Sequence, residues 1–175
     1  MDILNTLQKL PGSRVYWSAY IVLGLGLLGV ALFYQYQLEE LPCVVCIQVR
    51  LWFSLSIIVA SVGYVLRERI LLNVIAQLGL VISAIGLVER SYLLLGTERG
   101  FIFADCGFDA GLPVWFAIEQ WLPWLYQVET SCGYTPEILF GVTMAEALML
   151  LSVCLAVVSI TVISVTLVKI YKDKS

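Results

Sequence analysis

The sequence predicts an all-α integral membrane protein. The expected architecture is a four-transmembrane-helix bundle, N-in/C-in, with a short interfacial helix in the second outer loop. Three observations predict it. Hydrophobic residues make up 61% of the 175 and charged residues 13%, against roughly 25% charged in soluble domains. A chain of this length cannot bury that much apolar surface in one core. The apolar residues gather in four long stretches, and lysine and arginine alternate between the segments that join them.

The stretches run at about 15–33, 44–66, 70–95 and 139–168, within a single membrane domain of residues 1–175. Each approaches or exceeds the ~20 residues that cross a ~30 Å hydrocarbon core as a helix. The first lacks a small-x-small cleavage site and runs into Tyr34-Gln35-Tyr36, so it reads as a permanent anchor and not a signal peptide. Lys9, Arg14, Arg67, Arg69, Lys169, Lys172 and Lys174 occupy the N-terminal tail, the short second loop and the C-terminal tail. Basic residues favour the cytoplasm, which places those three segments inside. The outer loops, about 34–43 and 96–138, hold Arg99 as their sole basic residue, alongside Glu39, Glu40, Glu98, Asp105, Asp109, Glu119, Glu129 and Glu137. The net charge of −3 comes with no basic patch, which argues against a nucleic-acid partner and leaves the lipid bilayer as the surroundings.

Four of the five cysteines fall on the outer side, where disulfides persist. Cys43 and Cys46, in Pro42-Cys43-Val44-Val45-Cys46, sit where the first outer loop enters the second span, and Cys106 and Cys132 lie in the second outer loop. Structural bridges tying down loops are one reading. A Cys-x-x-Cys bridge, however, closes so short a loop that it removes little entropy from the unfolded chain; it suits a reversible redox couple better than a staple. At a helix start, free backbone N–H groups and the helix dipole also favour a thiolate, and Pro42 is compatible with a first turn. Four thiolates have the ligand count for zinc, but Cys106 and Cys132 are separated singles and the chain has no histidine. No metal is expected. Cys154 lies among Leu150, Leu151, Val153 and Leu155 in the last span and reads as a small packing residue.

Arg50 follows Cys46 by four residues, so a helix carries both on one face. It lies about one turn inside the boundary, where arginine is costly and usually paired or functional. Snorkelling to the headgroups explains it without a special role. Alternatively the cation stabilises a Cys46 thiolate and donates hydrogen bonds to a carbonyl oxygen of a bound electron acceptor. The segment 112–126 is aromatic-rich, broken by Pro123 and too short to span. It suits the headgroup boundary or a helix packed on the outer end of the bundle.

Leu41-Pro42-Cys43-Val44-Val45-Cys46-Ile47, Arg50, and Cys106 followed by Pro113, Trp115, Trp121, Pro123 and Cys132 together resemble the bacterial inner-membrane disulfide-bond formation protein B (DsbB) family. The resemblance covers the four spans and both outer loops. Val49 departs from the polar residue expected before the arginine. The relay from DsbA through DsbB to quinone keeps the bacterial periplasm oxidising. The resemblance therefore implies a protein-dithiol:quinone oxidoreductase facing the periplasm, with ubiquinone or menaquinone as acceptor. It implies catalytic roles for Cys43, Cys46, Cys106 and Cys132, and quinone contacts from Arg50 and Cys46. It further implies that a DsbA-like thioredoxin-fold partner attacks a Cys106–Cys132 disulfide at Cys106. Cys132 then attacks Cys43 and expels Cys46 as a low-pKa thiolate. Two other readings stay open. One is a thiol–quinone reductase similar to vitamin K epoxide reductase, where the Cys-x-x-Cys lies on the last core helix. The other is a non-enzymatic membrane protein with structural disulfides.

A last expectation concerns charge alone. Arg50, Glu89, Arg90 and Glu146 fall at similar depth in the outer half of the bundle and sum to zero. Unpaired charges are expensive there. Glu146 or Glu89 is therefore expected to pair with Arg50 or Arg90 and so orient the arginine beside the thiols. The competing expectation is that Glu89 and Arg90 reach the interface and Glu146 is neutral.

Overall fold

The computed structural model describes residues 12–102, 117–139 and 141–174. Four helices are long and apolar enough to cross a membrane: α1 (Arg14–Gln37), α2 (Val44–Leu66), α3 (Ile70–Glu98) and α6 (Met144–Lys174). Even the shortest, of 23 residues, reaches about 35 Å at 1.5 Å per residue. Ser13 caps α1 by accepting the Val15 amide at 3.2 Å. Between α2 and α3 the chain reverses in three residues, and the Asn73 side chain donates to the Arg67 carbonyl at 2.9 Å. Helix α1 packs on α2, α2 on α3 and α3 on α6.

The bundle keeps its aliphatic surface outward. Val22, Val65, Leu71 and Leu150 are each about 70% exposed, as befits side chains whose solvent is lipid. Without a hydrophobic drive between helices, association rests on close packing and interhelical hydrogen bonds. Trp17 is fully buried beneath Gly63, where an added Cβ would meet its ring at 2.3 Å, and Gly86 admits Trp52 in the same way at 2.4 Å. Tyr20 shares a 2.6 Å hydrogen bond with Ser159, and Thr166 donates to Gln77 at 2.9 Å. These contacts tie α1 and α3 to α6.

Two short helices, α4 (Ile118–Trp121) and α5 (Pro123–Tyr126), form the described part of the aromatic segment. The expected packing on the end of the bundle is met. Trp121 and Trp124 face outward, whereas Leu125 and Tyr126 are buried against Ile47 of α2. The Tyr126 hydroxyl bonds Ser54 of α2 at 2.6 Å, and Tyr36 of α1 donates to the Trp124 carbonyl at 2.7 Å.

The last span departs from the hydropathy pattern. Strands β1 (Glu137–Leu139) and β2 (Val142–Thr143) pair antiparallel around Gly141, whose φ is +79°. The helix therefore begins at Met144 and not near Leu139. Its start is a capping box: Thr143 Oγ1 accepts the Glu146 amide, and Glu146 Oε2 accepts the Thr143 amide, each at 3.3 Å.

Candidate redox site

Cys43 is the N-cap of α2. Its sulfur accepts the Cys46 amide at 3.3 Å and lies 2.7 Å from the Cys46 sulfur. Both are free thiols here, and their separation exceeds the ~2.05 Å of a disulfide bond. The Cys43 thiol is held below the usual thiol range, first by the hydrogen bond from the Cys46 side chain and further by backbone amides of the first turn, against its own burial. The sequence pattern expects the helix start to favour the Cys46 thiolate. The geometry instead directs the first-turn amide at Cys43, because Cys43 occupies the cap position.

The segment between α3 and α6 is stitched to this pair. The Pro42 carbonyl accepts the amides of Glu129 at 3.0 Å and Thr130 at 3.3 Å, and Thr130 forms an isolated parallel bridge with Cys43. Cys132, which is disulfide-bonded, packs with Cys46 against the apolar cluster of Cys43, Val45, Leu94 and Ala145. Cys43, Cys46 and Cys132 thus share one cluster. Cys106 lies outside the described residues, as do Pro113 and Trp115. Cys154 is exposed on α6, so the packing role expected for it is corrected: its side of the helix points to lipid.

Arg50 does not snorkel. It is 6% exposed, and its Nη1 donates to Gln35 Oε1 at 2.6 Å and to the Leu125 carbonyl at 3.0 Å, while Nη2 donates to the Ala31 carbonyl at 3.3 Å. It thereby clamps α1, α2 and α5 together. Gln35 was not evident as a site residue, because its polar-aromatic surroundings read as the beginning of the outer loop. The helix instead continues to Gln37 and buries it. Its signal was an amide four residues from Ala31 on the helix that must face Arg50.

The expected pairing is met in part: Glu89 forms an ion pair with Arg90 at 3.6 Å, whereas the expectation for Glu146 is corrected. Glu146 pairs with Arg99, because the later helix start puts it in the first turn, beside the end of α3. Arg90 donates to Gln48 at 3.0 Å and lies 3.6 Å from the exposed Glu89. Neither glutamate orients Arg50.

Beside the thiols is a cavity of about 150 Å³. Leu27, Leu28 and Ala31 of α1, Cys46, Val49, Arg50 and Phe53 of α2, and Leu148 and Leu151 of α6 line it, with Tyr134, Pro136 and Ile138 above. The walls are apolar apart from a few polar groups, the usual make-up of a small-molecule site. Cys46 faces this cavity, and Cys43 faces the Cys132 cluster.

Comparison with known proteins now bears on this arrangement. The family model described as "Disulfide bond formation protein DsbB" matches residues 13–162. The chain belongs to the DsbB family. It is 30% identical over 149 residues to Disulfide bond formation protein B of Shewanella frigidimarina (strain NCIMB 400), covering 84% of this chain and 88% of that one. Disulfide bond formation protein B 2 of Pseudomonas aeruginosa PAO1 is 28% identical over 159 residues, covering 89% and 94%. Disulfide bond formation protein B of Shewanella loihica (strain ATCC BAA-1088 / PV-4) is 28% identical over 144 residues, covering 82% and 84%. Membership of the DsbB family, with four helices able to span a bilayer, makes this a multi-pass membrane protein of disulfide-bond formation and implies disulfide-generating oxidoreductase activity.

Proposed function

We propose that the protein is a protein-dithiol:quinone oxidoreductase of the bacterial inner membrane, N-in/C-in, that reoxidises a DsbA-like periplasmic dithiol protein. One observation carries this reading: Cys46 opens onto an apolar cavity beside Arg50, while its partner Cys43 is bridged to the loop that carries Cys132. Thiol exchange on one side of the pair and an apolar acceptor on the other is what such a relay requires. The alternation of basic residues supports the orientation.

The steps balance as follows. A partner thiolate attacks Cys106 of a Cys106–Cys132 disulfide, releasing Cys132 as thiolate, and the partner's second thiol resolves the mixed disulfide. Cys132 attacks Cys43 of a closed Cys43–Cys46 bridge and releases Cys46. Cys106 then attacks Cys132, restoring the loop disulfide and leaving Cys43 and Cys46 reduced. Reclosure of Cys43–Cys46 gives up two electrons and two protons. A bound quinone supplies the sink for both and leaves as quinol. Thiolate character at Cys43 serves the step in which Cys106 attacks Cys132, since Cys43 is then the leaving sulfur.

The cavity fits a quinone ring: apart from Glu40, Cys46 and Arg50 its walls are aliphatic or aromatic, and three of the five Arg50 N–H groups are engaged by the protein, which leaves two to donate to a carbonyl oxygen. A reductase of the vitamin K epoxide reductase type is disfavoured because the Cys-x-x-Cys heads α2, while α6 carries only Cys154. The test is quinone consumption by the purified protein given a reduced thioredoxin-fold protein, with ubiquinone and menaquinone in separate arms. Turnover with either is expected; none with both refutes the oxidoreductase.

A further inference from the structure

Arg50 is a buried cation whose hydrogen-bond acceptors are all neutral: the Gln35 side-chain oxygen and the carbonyls of Ala31 and Leu125. None of the ion pairs among the described residues includes it. A carboxylate is nevertheless close. Glu129 Oε2 accepts from Gln35 Nε2 at 3.5 Å, on the far side of the amide that accepts Arg50 at 2.6 Å. The Glu129 backbone is anchored, its amide donating to the Pro42 carbonyl at 3.0 Å, which keeps the carboxylate within reach of this site.

The orientation of the Gln35 amide follows from these neighbours. Its oxygen must face the guanidinium, which only donates, and its NH₂ must face the carboxylate, which only accepts. Glu129 is exposed and so keeps its charge, and at this range opposite charges attract more strongly than in bulk water; what separates Arg50 from Glu129 is the body of Gln35. We propose that Gln35 is a positioning residue that stands between Arg50 and Glu129, keeping the arginine's charge available to the quinone oxygen and to the Cys46 sulfur. This rests on Arg50 lying at the quinone site, as proposed above. It adds that the availability of the Arg50 charge is set from α1, and that the loop bearing Cys132 carries the carboxylate that would screen it.

The experiment compares Gln35→Leu, Gln35→Glu, the double variant Gln35→Leu/Glu129→Gln, and Arg50→Met. Quinone KM and kcat are measured separately, together with quinone-free thiol exchange between the loop disulfide and the reduced partner. Gln35→Leu is expected to raise quinone KM on the order of tenfold, with thiol exchange unchanged. Adding Glu129→Gln should return KM toward wild type, because no carboxylate then remains to neutralise Arg50. A raised KM that the second substitution fails to rescue would reduce Gln35 to a tether and overturn the proposal, and so would an unchanged KM in Gln35→Leu. If Gln35→Leu does not accumulate in the membrane, Gln35→Glu decides alone. It keeps an acceptor for Arg50 but supplies the cancelling charge, so a raised KM is expected and a wild-type KM overturns the idea. Unchanged KM in Arg50→Met removes the quinone-side reading of Arg50 itself. A raised KM there with an unchanged one in Gln35→Leu removes only the role of Gln35.

Discussion

Cys43 and Thr130 sit side by side in an isolated parallel bridge, so the α1–α2 and α3–α6 connections meet two residues short of Cys132. That contact lets a thiol on the second loop address the pair on α2 without a large excursion, and it frames the predictions below.

Replacing Cys43, Cys46, Cys106 or Cys132 singly with serine should abolish turnover of a reduced partner in the presence of quinone. Cys154→Ala should retain it, since Cys154 is exposed on α6. Full turnover without Cys106 or Cys132 would rule out a two-pair relay.

Arg50→Lys keeps the charge and loses the planar fork that reaches Gln35, Leu125 and Ala31 together. Quinone KM should rise by roughly tenfold or more, with kcat affected less. Because the same fork joins three elements, Tm in detergent should fall as well; normal KM in both Arg50→Lys and Arg50→Met would leave only the structural role.

In the reduced protein Cys43 should titrate below the ordinary thiol value of about 8.5, its thiolate favoured chiefly by the Cys46 side chain. The sign follows from the depressed value. Ionised Cys43 stabilises the reduced fold above the unfolded thiol pKa, and that contribution is lost as pH falls through the folded value. Thiolate absorbance should be titrated with Cys106, Cys132 and Cys154 replaced. Cys46→Ala should shift the midpoint upward; a midpoint that ignores Cys46 contradicts the assignment.

Gly63→Ala would drive a Cβ to within 2.3 Å of the Trp17 ring. Overpacking of this kind costs about 1–3 kcal/mol, so Tm should drop while the quinone KM of the folded fraction stays put. An unchanged Tm would mean that the α1–α2 contact yields easily.

Glu146→Gln weakens both the capping box and the ion pair to Arg99. The expected result is a small loss of thermal stability with wild-type quinone kinetics. A changed quinone KM would return Glu146 to the site from which its helix position removes it.

The spans were legible because hydropathy over some twenty residues is a collective signal that no single residue can hide. The Cys-x-x-Cys and Arg50 were legible from their spacing on one helix. The hairpin before α6 was masked by Ile138, Leu139 and Val142, apolar residues that extend the hydropathy of the helix although the chain turns at Gly141. Thr143 and Glu146, three apart, carried the true start. Gln35 and Glu129 escaped because their meaning depends on tertiary neighbours: an amide between a cation and an anion has no sequence pattern. The Cys43–Thr130 contact is likewise a backbone pairing of single residues, too short to show any alternation.

Helices α1 and α6, which flank the cavity, are the first and last of the bundle; Tyr20 and Ser159 join them, but they pack on each other less closely than α1 on α2 or α3 on α6. The circle of helices is thus loosest between α1 and α6, and Cys46 looks into the cavity there. For an acceptor dissolved in hydrocarbon, the relevant concentration is a mole fraction in the lipid and the approach is sideways diffusion in two dimensions. The composition and fluidity of the surrounding lipid would then govern supply, and the oxidation state of the respiratory pool would be felt through the membrane phase while the aqueous compartments on either side stay unchanged.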